Sequence, residues 1–148
     1  MNPIGTIREI LNQKGATIWG VSPETTVFEA IQMMADKNIG ALLVTERDKL
    51  AGIVTERDYT RKVALKGKSS KQTAVKEIIS GEVIHVTPAH TVEECMRLMT
   101  VNRVRHLPVL EAGKIVGVVS IGDLVNWTIS AQNSTIHQLQ TYIAGYPG

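Results

Sequence analysis

The chain repeats itself. Slid along its own length by 65 residues, it places Val21-Ser-Pro-Glu-Thr-Thr-Val27 on Val86-Thr-Pro-Ala-His-Thr-Val92. The same register, without a gap, sets Leu42 on Leu107, Val44 on Val109, Gly52 on Gly117, Val54 on Val119 and Asp58 on Asp123. A shorter echo lies upstream, Thr6-Ile-Arg-Glu-Ile-Leu11 against Ala74-Val-Lys-Glu-Ile-Ile79, with its offset shifted to 68. Two copies are too few for a solenoid, and the period exceeds the roughly 20–50 residues usual in stacked arrays. A unit of roughly 60 residues buries too little surface to be comfortably stable alone. Two equivalent units packed face to face about a pseudo-twofold axis are therefore expected.

Each copy carries the same alternation of periods. Thr17–Val21 and Glu82–Val86 read as short strands, each followed by a turn containing proline. Val27, Ala30, Ile31 and Met34 then recur at helical spacing, as do Val92, Cys95, Met96 and Met99. Thr26 and Thr91 stand where a hydroxyl can cap those helices. Ala41–Thr45 with Leu50–Val54, and His106–Leu110 with Ile115–Val119, read as buried hairpins. A helix follows each, from Glu56 to about Leu65 and from about Ile121. The fold class expected is α/β (α+β), with tandem β-α-β-β-α repeats over 6–66 and 72–129. Residues 67–71 form a polar, turn-forming linker, and 130–148 a helical tail that carries Ile136, Leu139, Tyr142 and Ile143 and frays at its end.

Composition closes off several functions. With 148 residues, 43% hydrophobic and 20% charged, the chain is globular rather than disordered. Sixteen basic against fourteen acidic residues fall far short of the bias of a dedicated nucleic-acid binder. No run approaches the roughly 18 apolar residues that span a bilayer, and the first residues hold no apolar signal core. The single Cys95 can make neither an internal disulfide nor a thiolate-rich zinc site. A reducing, cytoplasmic compartment is expected. His85, His90, His106 and His137 show no metal-ligand spacing, Cys95 lies on the apolar side of its helix, and Met33, Met34, Met96 and Met99 read as core.

The chemistry concentrates in a repeated motif, Gly52-Ile-Val-Thr55-Glu-Arg-Asp58 and Gly117-Val-Val-Ser120-Ile-Gly-Asp123. A strand ends at a hydroxyl residue, a helix begins, and an aspartate follows three positions on. Taken structurally this is a capping box, with a carboxylate placed favourably in the first turn. Taken functionally, a helix N-terminus with a hydroxyl receives phosphate, and a nearby carboxylate accepts both hydroxyls of a ribose. Two copies beside Arg57, Arg61 and Arg105 favour the second reading over capping alone.

The duplicated pattern, the paired Gly-h-h-[Ser/Thr]-x-x-Asp motifs (h apolar), Val-[Ser/Thr]-Pro-x-x-Thr-Val and Arg105-His-Leu-Pro-Val109 together resemble cystathionine-β-synthase (CBS) domains. The chain is similar to a stand-alone CBS pair, or Bateman module, from Thr6 to Val125. Gly52-Ile-Val-Thr-Glu-Arg-Asp-Tyr-Thr-Arg-Lys62 further resembles small CBS-pair proteins of proteobacteria and plant mitochondria. The resemblance implies a non-catalytic sensor of adenosine nucleotides (AMP, ADP, ATP or NAD(H)), with ligands in clefts between the two repeats. Carried over residue by residue, it implies that Asp58 and Asp123 hold ribose while Thr55 and Ser120 approach phosphate. Thr17, Trp19, Val21, Gly40 and Ala41 would frame one adenine, and Ile84, Val86, Leu107 and Pro108 the other. Arg57, Arg61, Arg105 and His106 would meet phosphate charge. It also implies a homodimer formed through helices and a regulated protein partner whose identity the chain does not encode. Because Gly40-Ala41 faces Arg105-His106 across the alignment, and Arg57 faces Gly122, the two sites should differ.

Two other classes compete with this reading. A nucleotide hydrolase needs a placed base and usually a metal on clustered carboxylates, whereas this chain offers one motif aspartate per repeat. An RNA- or DNA-binding protein would use the basic stretch from Lys62 to Lys76, and its binding would collapse with salt. Lys66-Gly-Lys-Ser-Ser-Lys71 lacks the spacing of a phosphate loop and reads as a solvated linker.

Overall fold

The computed structural model describes residues 5–15, 17–79 and 82–143. In chain order these form α1 (Ile7–Lys14), β1 (Gly20–Val21), α2 (Val27–Lys37), β2 (Ala41–Glu46), β3 (Lys49–Thr55) and α3 (Glu56–Tyr59). A π-helical turn (Thr60–Ala64) and a 3-10 turn (Val75–Glu77) follow, then α4 (Val92–Asn102), β4 (His106–Glu111), β5 (Lys114–Ser120) and α5 (Ile121–Ile143). β1, β2 and β3 make one sheet in that order, and β4 and β5 a second.

Local chemistry explains these elements. Thr26 and Thr91 each accept the N–H of the residue three positions on, Glu29 and Glu94, at 3.1 Å, and so cap α2 and α4 as expected. Both helices end on a left-handed residue, Asn38 and Arg103. The hairpins turn through Arg47-Asp48 and Ala112-Gly113, all four at positive φ, the hand that suits two-residue hairpin loops.

The chain divides into two compact units that do not follow the repeat boundaries. Unit 1 contains Met1–Ala16, Val86–Leu110 and Gly117–Gly148; unit 2 contains Thr17–His85 and Glu111–Val116. In unit 2 the core gathers Val21, Val27, Ala30, Met34, Leu42, Val44, Val54, Val63, Val75 and Ile78. In unit 1 Ile7, Ile10, Val92, Cys95, Met99, Leu107, Val109, Val119, Leu124 and Trp127 are buried. Burying each valine, leucine, isoleucine or methionine among them contributes about 1.5–3 kcal/mol of transfer free energy. Burial also raises the Cys95 thiol to about 11, which suits a packing residue rather than a nucleophile.

Within each unit one short segment docks in the same way. In unit 2, Val27 N–H bonds to the Thr73 carbonyl at 2.8 Å and Val75 N–H to that of Thr25 at 2.9 Å. In unit 1, Val92 N–H bonds to the Gly5 carbonyl and Ile7 N–H to that of His90, both at 2.9 Å. The upstream echo in the sequence thus marks a docking segment. A Cβ on Gly52 would come within 2.7 Å of Ile79 Cδ1, and one on Gly117 within 2.6 Å of Leu11 Cδ2, so both glycines make room for it.

Several expectations need correction. The Thr17–Val21 strand shrinks to Gly20–Val21, and Glu82–Val86 is reduced to one parallel bridge, Val86 with Val109. Proline explains the second loss. Leu43 donates its N–H to the Trp19 carbonyl at 3.1 Å, whereas its counterpart Pro108 has no N–H to give. The helix expected from Glu56 to Leu65 becomes π-helical after one turn. The segment 67–71 also carries contacts that its composition does not foretell: Phe28 N–H bonds to the Ser70 carbonyl at 3.0 Å, Thr73 Oγ1 to that of Ser69 at 2.7 Å, and Lys71 lies over the Phe28 ring. No new helix begins at Ser130, because α5 runs unbroken from Ile121 to Ile143; the end expected to fray lies outside the described residues.

Candidate functional site

The repeated motif forms a strand-to-helix junction in each unit. In unit 2, Thr55 ends β3 and caps α3: its Oγ1 accepts from Asp58 N–H at 3.1 Å, and Asp58 Oδ2 accepts from Thr55 N–H at 3.0 Å. In unit 1, Ser120 Oγ accepts from Asp123 N–H at 3.1 Å, and Asp123 Oδ2 accepts from Ser120 N–H at 2.8 Å. The capping box is thus present at both sites. It also fixes each carboxylate at the mouth of its helix.

The backbone before β2 and β4 completes the junctions. Glu56 N–H bonds to the Gly40 carbonyl at 3.1 Å, and Ile121 N–H to that of Arg105 at 2.9 Å. Ala41 pairs with Thr55 across the sheet. Gly40, Ala41, Thr55 and Asp58 therefore meet in unit 2, and Arg105, Ser120 and Asp123 in unit 1. Trp19, partly exposed, stands at the head of β1 with Lys37 Nζ 4.2 Å from its ring centre. Thr17, Arg57 and Arg61 are exposed. Val21, Val86, Leu107 and Pro108 are buried, so their side chains serve the core and leave mainly backbone to face a bound molecule. Ile84 is half-buried and belongs to unit 2, outside the unit 1 set.

Two lysines that the sequence did not single out hold the aspartates. Lys62 Nζ lies 3.4 Å from Asp58 Oδ1 and donates to the Ile78 carbonyl at 2.7 Å. Lys14 Nζ, from α1, donates to Asp123 Oδ2 at 2.7 Å and to the Val118 carbonyl at 2.9 Å. Lys62 was legible as the residue one helical turn beyond Asp58; nothing in the sequence links Lys14 to Asp123. His106 is largely desolvated, which lowers its pKa below the usual histidine value; Asp123 raises it, while Lys14 and Arg105 lower it. At the second junction Lys14 is thus the cation paired with the Asp123 carboxylate. Beside it a groove of about 250 Å³ runs between α1 (Ile10, Gln13, Lys14) and α5 (Asp123, Asn126, Trp127, Ser130). Among the described residues no group of three or more potential metal ligands occurs, and no helix is long and apolar enough to cross a membrane.

The CBS domain model matches residues 18–65 and 75–130, each match containing one junction. The chain belongs to the CBS domain family. Among its relatives, the mitochondrial CBS domain-containing protein CBSX3 of Arabidopsis thaliana is 40% identical, over 95% of this chain and 72% of that one. A CBS-domain protein of Burkholderia ambifaria MC40-6, described as a candidate signal-transduction protein, is 52% identical. Its structure superposes with a TM-score of 0.83 over 86% of this chain and 96% of that one. The CBS domain pair of MJ0100, solved with methylthioadenosine and S-adenosyl-L-methionine, shares the fold at a TM-score of 0.73 and 23% identity, over 84% of this chain and 95% of that one. The CBS-pair fold is thereby confirmed, and the relatives include the plant mitochondrial and proteobacterial CBS proteins that the motifs resemble.

Proposed function

We propose that this CBS pair is a non-catalytic regulatory module that binds an adenosine nucleotide (AMP, ADP, ATP or NAD(H)) at its two junctions and passes the bound state to a protein partner. One observation carries the reading: each junction presents a hydroxyl at a helix N-terminus and, one turn on, a fixed carboxylate. A phosphate suits the first and a ribose diol the second. Hydrolysis would call for a free base and clustered carboxylates, whereas here each aspartate is engaged by a lysine and by its own cap. Regulation requires that the ligand bind two states of the module, or of a homodimer, with different affinity.

Calorimetric titration of AMP, ATP and NADH at physiological salt tests this. Saturable micromolar binding is expected, with Asp58→Ala and Asp123→Ala each removing one site while the far-ultraviolet circular dichroism stays unchanged. If both variants bind as the wild type does, the aspartates are helix caps and nothing more.

A further inference from the structure

In unit 2, residues 59–76 hold six of the chain's sixteen basic side chains and none of its fourteen acidic ones. The matching stretch of unit 1, residues 124–141, holds no lysine, arginine, aspartate or glutamate. We infer that the stretch after the π-helical turn, with Leu65, Lys66, Lys68, Lys71 and Phe28, is a docking surface for an acidic protein segment that also carries apolar side chains. The inference rests on the regulatory reading, whose partner it describes by its chemistry.

The stretch has the composition of a solvated loop, yet its backbone is held in place. Leu65 N–H bonds to the Thr60 carbonyl, Lys68 N–H to that of Val63, and Phe28 N–H, from α2, to that of Ser70, each at 3.0 Å. These bonds fix the backbone that carries Lys66, Lys68 and Lys71, all exposed. Lys66 and Lys68 make no salt bridge among the described residues. The acids of neighbouring segments are engaged elsewhere: Asp58 by Lys62, Glu24 by Lys76, and Glu29 by the Thr26 hydroxyl. Cations held close together repel one another, and an incoming acidic surface relieves that repulsion.

Apolar side chains set the class of partner. Leu65 is 77% exposed and Phe28 41%. Lys71 Nζ stands 4.9 Å from the centre of the Phe28 ring, so an apolar contact and a cation share one spot. At the position of Phe28, unit 1 has Glu93, which pairs with Arg97 at 3.3 Å. A protein segment that mixes carboxylates with apolar side chains matches both features of the unit 2 surface. Nucleic acid matches only one. Its phosphates would meet the lysines, but Lys71 occupies the ring face on which a base would stack, and Leu65 would gain nothing.

Three probes test this on the full chain: a labelled peptide of about twelve residues, rich in glutamate and bearing leucines, an oligouridine of the same length, and phosphatidylserine vesicles. The peptide should bind saturably at low salt, and its version with serine for leucine about tenfold more weakly. Lys66→Glu combined with Lys68→Glu should weaken the peptide about tenfold or more, and Leu65→Ser about fivefold. Both variants alter exposed side chains only, so AMP affinity should stay within about twofold of the wild type. The inference is overturned if the peptide fails to bind, or if either variant binds it as tightly as the wild type. It is equally overturned if oligouridine or the vesicles bind at least as tightly as the peptide, or if AMP affinity falls as far as peptide affinity. A chain that binds the peptide but none of AMP, ATP and NADH keeps the docking surface and overturns the regulatory reading.

Discussion

Asp58 and Asp123 occupy the same place in two copies of one motif, yet each is held by a lysine of different origin. In unit 2 the cation comes from the same helical segment, four residues on, as Lys62. In unit 1 that position is Trp127, and the cation comes instead from Lys14 of α1. The exchange extends to the docking segments. Buried Trp127 lies against Gly5, where any Cβ would collide with the indole, while the echo register gives unit 2 a buried Thr73 in place of Gly5. One unit therefore fills this corner with an aromatic ring over glycine. The other has a buried threonine and a lysine at the matching positions. Divergence after duplication has kept the capping geometry and changed how the carboxylate is neutralised, because the cap is set locally and the cation need only arrive from somewhere nearby.

The largest test of this contrast is truncation. Trp127→Ala should cost about 3–5 kcal/mol in urea unfolding, because it empties a buried aromatic site. Lys62→Ala, at the equivalent position, should cost about 1 kcal/mol or less, since its ion pair is partly exposed. Equal losses would mean that the two corners are energetically alike despite their different side chains.

A smaller effect probes what the units share. Gly52→Val and Gly117→Val should each destabilise by about 1–3 kcal/mol, because the new side chain overlaps Ile79 or Leu11. A midpoint shift confined to one variant would show that only one docking segment is tightly seated.

The smallest is electrostatic. Desolvation holds His106 below its unfolded pKa, so the folded unit prefers the neutral ring. Its contribution to stability is present above the unfolded value of about 6.5 and is lost as pH falls below it. His106→Ala, which installs the residue found at Ala41, should flatten the decline in thermal midpoint between about pH 7 and pH 5. An unchanged slope would assign the acid sensitivity to other groups.

Much of this protein was legible because it is written twice and locally. Thr26, Thr91, Thr55 and Ser120 cap their helices through partners three residues away, a distance that a sequence states directly. Buried hairpins and amphipathic helices show in their periods, and both motif aspartates follow from their spacing to a hydroxyl. What was misread depends on partners far along the chain or on a neighbour's missing donor. Pro108 thins a strand pairing by having no N–H, and the bond from Phe28 N–H to the Ser70 carbonyl joins residues far apart in the chain. Tertiary structure alone brings Lys14 to Asp123 across 109 residues, seats Trp127 on Gly5 and opens a groove beside them. Local hydrogen bonding and side-chain period determine which elements form; which cation reaches a carboxylate is decided only when distant segments pack.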